Sequence, residues 1–304
     1  MLPRRNVLIF HSGALGDFIL TWPLAVALGR LHPQSRIFYV TAGQKGKLAE
    51  QALGVESVDA EGGWHGLYAD GIILSPAELK LLASAHTVVL FTVRQEDPVV
   101  GRLQKLNPEA HILPLHPPTG EKLTGPAVGF ILDQLGSNLA LQTAMRQILR
   151  SIADRGLAAR HQPQAIYLHP GSGGAAKCWP LERFMELAKC LRTTHLPLHW
   201  VIGEVERERF SAQEIQLLNT SGLIVESNTL PDLLKHIQAA KLWIGNDSGP
   251  AHLAGIMAVP TIALFGPTDP EVWKPLGPKV HVLRHQPMDQ LPVDEVWSCC
   301  RAIL

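Results

Sequence analysis

Residues 241–277, KLWIGNDSGPAHLAGIMAVPTIALFGPTDPEVWKPLG, constrain the fold more than any other stretch of the chain. Leu242-Trp243-Ile244 is an apolar run that reads as a buried strand. The polar turn Gly245-Asn246-Asp247-Ser248-Gly249-Pro250 follows, then a short helix over 251–257. A second apolar run at 261–265 leads into Gly266-Pro267-Thr268-Asp269-Pro270. Strand, glycine-containing turn, helix and strand make a βαβ unit, and parallel strands need such a crossover. In the first turn Gly249 permits close backbone approach, and Pro250 suits a helix start, where its missing N–H costs nothing. Free N–H groups and the helix dipole there favour an anion such as phosphate. Ser248 adds a hydroxyl, and His252 falls in the first helical turn. The same residues also serve ordinary helix capping, so this turn alone leaves both readings open.

The same alternation runs through the rest of the chain. Apolar runs predict strands at 6–10, 37–40, 57–58, 87–91, 111–115, 165–168, 198–203 and 223–225. Between them, patterns predict helices at 18–31, 45–52, 72–83, 128–155, 181–193 and 230–240, with a last one at 293–304. Alternating strands and helices imply parallel sheets covered on both faces. The 304 residues suffice for two domains of about 150 each. Composition turns polar and Pro/Gly-containing over 156–163, which predicts domains 1–158 and 159–288, with a tail beyond. Two α/β halves joined by one linker predict a ligand cleft between them.

Composition excludes several classes. With 46% hydrophobic and 18% charged residues the chain can bury a core and is not disordered. Basic and acidic residues balance at 27 each, which gives no support for a nucleic-acid partner. Cys178, Cys190, Cys299 and Cys300 form no C-x-x-C pair, which argues against a zinc site or disulfide framework and for a reducing, cytoplasmic compartment. Arg4-Arg5 imitates an export signal, but the apolar run after it is too short. Cys300 stands one residue off a prenylation box, so no lipid anchor is expected. No apolar run reaches the roughly 18 residues of a membrane span. His32, His86, His195, His199 and His281 lack metal-ligand spacing. Trp64, His65 and Tyr68 lie between glycines, where a surface loop is favoured over a sugar contact.

Three glycine-containing loops follow strands, where open α/β sheets place ligands. Gly13-Ala14-Leu15-Gly16-Asp17 is not a G-x-G-x-x-G fingerprint. Asp17 fits either a dipole-stabilised first-turn carboxylate or a general base. His169-Pro170-Gly171-Ser172-Gly173-Gly174-Ala175-Ala176-Lys177 has backbone N–H groups and one cation, the makings of a phosphate cradle or of a plain surface loop. The Asp247 turn is the third.

Together these motifs resemble glycosyltransferase family 9, the heptosyltransferase-like enzymes of lipopolysaccharide biosynthesis. Gly16-Asp17, the H-P-G-S and K-x-W-P pattern of 169–180, N-D-S-G-P-A-H-L-A at 246–254 and V-P-T-I-A-L-F-G-P-T-D-P at 259–270 carry the resemblance. It implies an α/β GT-B fold, two Rossmann-like domains facing across a central cleft, with the final helix (about 289–304) returning to the N-terminal, acceptor-side domain. It implies inverting transfer, without metal or bound cofactor, from a nucleotide-diphospho-sugar, ADP and heptose being candidates. The acceptor would be a lipid-linked saccharide or other glycan, with at most peripheral contact at the inner membrane. Asp17 would be the base and Lys177 the second catalytic residue. Gly13, Gly16, Ser172, Gly173, Asp247, Ser248, Gly249 and His252 would serve donor and phosphate binding. A nucleotide-sugar epimerase of the same architecture and a non-catalytic nucleotide-sugar binder are the alternatives.

Overall fold

The computed structural model describes residues 6–69, 74–92, 97–118, 123–157 and 163–304. Arg4-Arg5, residues 72–73 of one predicted helix, part of the 117–126 loop and the predicted boundary at 158/159 lie outside them. The chain divides into two compact units, Met1–Leu149 and Arg150–Leu304.

The first unit runs β1 (Asn6–Phe10), α1 (Leu15–Leu20), α2 (Trp22–Leu31), β2 (Arg36–Thr41), α3 (Gly43–Leu53), β3 (Glu56–Asp59), α4 (Pro76–Ala83), β4 (Ala85–Phe91), α5 (Pro98–Leu106), β5 (His111–Leu115) and α6 (Ala127–Asp133). Helix α7 (Leu139–Arg155) carries the chain across the division. The sheet is parallel, ordered β3-β2-β1-β4-β5. Strand β1, NVLIF, is buried along its length, as a strand covered on both faces must be. The chain crosses from one side of β1 to the other between β3 and β4. The loop after β1 therefore opens at the point where strand order reverses.

The second unit repeats the plan with β6 (Ala165–His169), α8 (Leu181–Leu191), β7 (Leu198–Ile202), α9 (Glu204–Arg209), α10 (Ala212–Ser221), β8 (Leu223–Glu226), α11 (Leu230–Gln238), β9 (Ala240–Asn246), α12 (Gly249–Ile256), β10 (Thr261–Phe265), α13 (Pro270–Trp273), β11 (Val280–Arg284) and α14 (Val293–Ile303). Its parallel sheet is ordered β11-β10-β9-β6-β7-β8, with the reversal between β6 and β9. The loops after these two strands, 170–180 and 247–248, thus leave the same edge side by side.

The structure corrects several expectations. The helix predicted over 18–31 is two helices. Pro23 lacks the N–H that would bond Ile19 and its ring crowds that carbonyl, so it sits instead in the first turn of α2. Thr21 fills the break, its hydroxyl on Phe18 O at 2.7 Å and against Tyr39 Oη at 2.9 Å. The helix over 128–155 also breaks, at Gly136, whose φ of 52° is left-handed, and Asn138 Oδ1 accepts from Leu141 N to restart it as α7. Helices α5, α9 and α10 and the edge strand β11 were not anticipated. Helix α14 packs on α8 and β10 within the second unit. Its Val293, Val296 and Cys300 join Leu187 and Leu191 in that unit's core. Among the described residues no helix is long and apolar enough to cross a membrane.

Candidate functional site

Strand β9 ends at Asn246 and Asp247 follows it, two polar residues that the fold buries. A buried amide or carboxylate is costly unless its hydrogen bonds are made, and both are engaged. Asn246 Oδ1 accepts from Trp179 N at 2.9 Å, and its Nδ2 donates to Pro170 O at 2.8 Å and Gly171 O at 3.3 Å. Asp247 Oδ2 accepts from Lys177 Nζ at 2.8 Å and from Thr268 Oγ1 at 2.6 Å. Ser172 Oγ donates to Asp247 O at 2.8 Å. The loop after β6 and the turn before α12 are thus laced together across 70 or more residues of sequence. The Lys177 side chain remains about one-third exposed while that of Asp247 is buried.

His252, in the first turn of α12, places Nε2 3.9 Å from Asp247 Oδ1. Burial pushes its pKa down to about 4; Asp247 opposes that shift and Lys177 adds to it, so the ring is neutral at ordinary pH. Ser248 Oγ donates to Asn246 O at 3.0 Å, so its hydroxyl, like that of Ser172, braces backbone. What stands open is backbone. Gly249 begins α12, with its unpaired N–H groups, and a Cβ on exposed Gly173 would meet no atom within 4 Å. Gly171 is different. A Cβ there would fall 1.7 Å from Glu206 Oε1, so only glycine lets α9 approach the loop. Arg209, at the end of α9, donates to Cys178 Sγ at 2.9 Å and to Ser172 O at 3.2 Å, a second cation on the loop.

The first unit holds Gly13, Gly16 and Asp17. Asp17 lies in the first turn of α1 and is partly exposed, and Gly16 is helical beside it. Gly13, but not Gly16 or Asp17, lines a cavity of about 740 Å³ that is also walled by Phe10, His11, Lys45, Trp64, Tyr68 and Phe91. Trp64, His65 and Tyr68, favoured from sequence as surface loop, line this cavity. His11 is buried, and burial, with the Lys45 charge second, pushes its pKa down to about 3. Among the described residues no group of three His, Cys, Asp or Glu side chains is arranged to hold a metal.

Sequence reasoning passed over His11, Lys45, Glu206, Arg209 and Thr268, and gave Asn246 no role of its own. Thr268 and Asn246 had a signal, a polar residue at or shortly beyond the end of a buried strand in a quoted motif. Lys45 and Arg209 had none, being ordinary helix cations until the fold sets them beside a loop.

The family model for glycosyltransferase family 9 (heptosyltransferase) matches residues 118–295, more than half of the chain. Lipooligosaccharide heptosyltransferase 2 of Campylobacter jejuni is 32% identical over 117 residues, 37% of this chain and 36% of that relative. Lipopolysaccharide heptosyltransferase 1 of Pseudomonas aeruginosa is 34% identical over 110 residues, 36% of this chain and 30% of that relative. The chain thus spans about a third of the length of the curated relatives it matches. The structure of the Escherichia coli heptosyltransferase WaaC with ADP superposes with a TM-score of 0.69 at 16% identity, covering 98% of this chain and 100% of that one.

Proposed function

The chain belongs to glycosyltransferase family 9 and has its GT-B fold of two Rossmann-like units, and from that premise we propose that it is an inverting, metal-independent sugar transferase. The donor is a nucleotide-diphospho-sugar, with ADP-heptose the leading candidate, since the WaaC structure similar to this one was solved with ADP. The acceptor is a hydroxyl of a lipopolysaccharide-type glycan, the class of product named for the relatives. On this reading the enzyme works in the cytoplasm, at the inner face of the membrane where such a lipid-linked acceptor is presented.

The observation that carries the reading is the Lys177–Asp247–Thr268 cross-link at the start of α12. Asp247 spends its charge holding Lys177 in place beside open glycine backbone and unpaired helix N–H groups. A diphosphate seated there meets an ammonium and several N–H donors that need no reorganisation as the leaving group gains charge. These groups do the work that a divalent cation does in other phosphate-leaving reactions. Asp17 takes the proton of the acceptor hydroxyl. The oxygen attacks the anomeric carbon from the face opposite the diphosphate, the old glycosidic bond breaks, and the nucleoside diphosphate departs with that electron pair. Neutral His252 keeps a ring N–H for hydrogen bonding without adding a buried charge.

The test is turnover of ADP-sugars with a truncated lipopolysaccharide acceptor in the presence of EDTA, reading the anomeric configuration of the product by NMR. Inverted product, formed without metal, is expected. Retained configuration, or strict dependence on added Mg²⁺, would overturn the mechanism.

A further inference from the structure

Lys45 has no part in the reaction as described so far, although it stands in the wall of the first unit's cavity. It is the third residue of α3, half-buried beside aromatic rings, where an ammonium loses hydration that a surface lysine keeps. What the amine touches is the turn that carries Asp17. Its Nζ donates to Gly13 O at 2.6 Å and lies 6.0 Å from the Phe18 ring centroid. Gly13 is itself wedged between functional side chains. A Cβ there would come 2.9 Å from His11 Cε1 and 3.4 Å from Asp17 Cβ. His11 from the end of β1, Asp17 from α1 and Lys45 from α3 therefore converge on one peptide unit.

Electrostatics agree with the geometry. Burial holds the Lys45 pKa below its usual range while the Asp17 charge pulls it back up, so ammonium and carboxylate feel each other. The Lys45 charge in turn helps keep His11 neutral. The acids on the cavity wall are Glu61, after β3, and Asp97, ahead of α5. Asp97 is committed to Val99 N at 2.9 Å and Thr92 Oγ1 at 2.6 Å.

We propose that Lys45 is a positioning residue for acceptor activation: its ammonium clamps the Gly13 peptide and sets positive charge beside Asp17, keeping that carboxylate ionised and its turn fixed at the cavity wall. The proposal rests on Asp17 being the base. A general base must be ionised when the acceptor arrives, and an adjacent cation favours that form. It must also be held within hydrogen-bond reach of the proton it takes, and a clamp on the peptide four residues ahead serves that end. A compact ammonium suits the place better than a planar guanidinium, which would need two acceptors in its plane.

The experiment is a carbon-detected carboxyl NMR titration of the full-length, ¹³C-labelled protein, with the Asp17 signal assigned by its loss in Asp17→Asn. In Lys45→Met the Asp17 midpoint should move up by about one pH unit. In Lys45→Arg it should return most of the way, because the charge is restored. Circular dichroism melts identify a variant that does not fold; in that case Lys45→Gln carries the same expectation. An unmoved Asp17 midpoint in a folded neutral variant overturns the proposal. Turnover of ADP-sugars by the unmodified protein is read in parallel. Turnover with no NMR shift sinks the Lys45 proposal alone. A shift without turnover sinks the transferase reading, and with it the role in acceptor activation.

Discussion

The loops after β1 and β6 leave corresponding strands of two parallel sheets, each at the point where strand order reverses, yet they are held in different ways. The β6 loop is stitched to the Asp247 turn by the Asn246 amide, the Ser172 hydroxyl and Lys177, and Arg209 grips it from α9. The β1 loop is fastened by the Lys45 amine on Gly13 O and by His11 N on Val40 O at 3.1 Å, and it borders an aromatic-walled cavity. The contrast fits the chemistry proposed for each. A diphosphate is a fixed, highly charged group, best met by donors already in place. A sugar ring needs room, flat apolar walls and one well-aimed proton acceptor.

Variants can break this division of labour. The largest effect is expected from Asp17→Asn, which should lower turnover roughly 10²–10⁴-fold, the usual worth of a general base, while nucleotide affinity measured by calorimetry stays unchanged. A loss of nucleotide affinity would show that the first unit's loop also serves the donor. Lys177→Ala should lower turnover roughly 10²–10³-fold, as removal of one preorganised donor does, and unlike Asp17→Asn it should weaken nucleotide binding in the same calorimetry. Asn246→Ala should destabilise the protein by about 3 kcal/mol in urea unfolding, since it leaves buried Trp179 N and two loop carbonyls without partners. Lys45→Met, which frees a single carbonyl, should cost less; the reverse order would contradict the view that the second loop is the stiffer one.

The smallest effect is in pH dependence, and both units share it. His252 is pushed down to about 4 and His11 to about 3, whereas both titrate near 6.5 in the unfolded chain. Below about pH 6.5 the unfolded state therefore binds protons that the folded state refuses, and stability falls as pH falls toward 4. Above 6.5 these groups contribute no slope. Urea midpoints at pH 7 and pH 5 should differ less in His252→Asn and in His11→Asn than in the parent protein. An equal drop in all three would mean that neither ring is held neutral.

Much of the fold was legible because buried parallel strands are written as continuous apolar runs. NVLIF and TIALF occupy β1 and β10 as read from sequence, and β6 runs one residue beyond the predicted 165–168. Strand β11, VHVLR, was missed because it is an edge strand, half-buried, and follows a Pro/Gly-containing stretch that reads as loop. Helix α9 was hidden by its charge and α10 by its uncharged polar residues, as most positions of both face solvent. For the second unit's site, the sequence offers loops suited either to an anion or to plain capping, and the structure adds which groups brace and which remain open. Ser172 and Ser248 spend their hydroxyls on backbone, a distinction that only the folded positions of carbonyls could reveal. Lys45 was not legible at all. Its partner, Gly13 O, is a backbone atom 32 residues away, and no residue pattern encodes such a contact.

The most direct test is a thermal-shift screen of the purified protein against ADP-, UDP-, GDP- and dTDP-sugars, each with EDTA and with Mg²⁺. A ligand that binds the native state raises the midpoint according to its occupancy. On the proposed reading one nucleotide class, ADP first among them, raises the midpoint equally with and without metal, and Lys177→Ala abolishes the rise. A midpoint unmoved by every nucleotide sugar at millimolar concentration would contradict the donor site around Lys177 and Asp247, and with it the transferase reading.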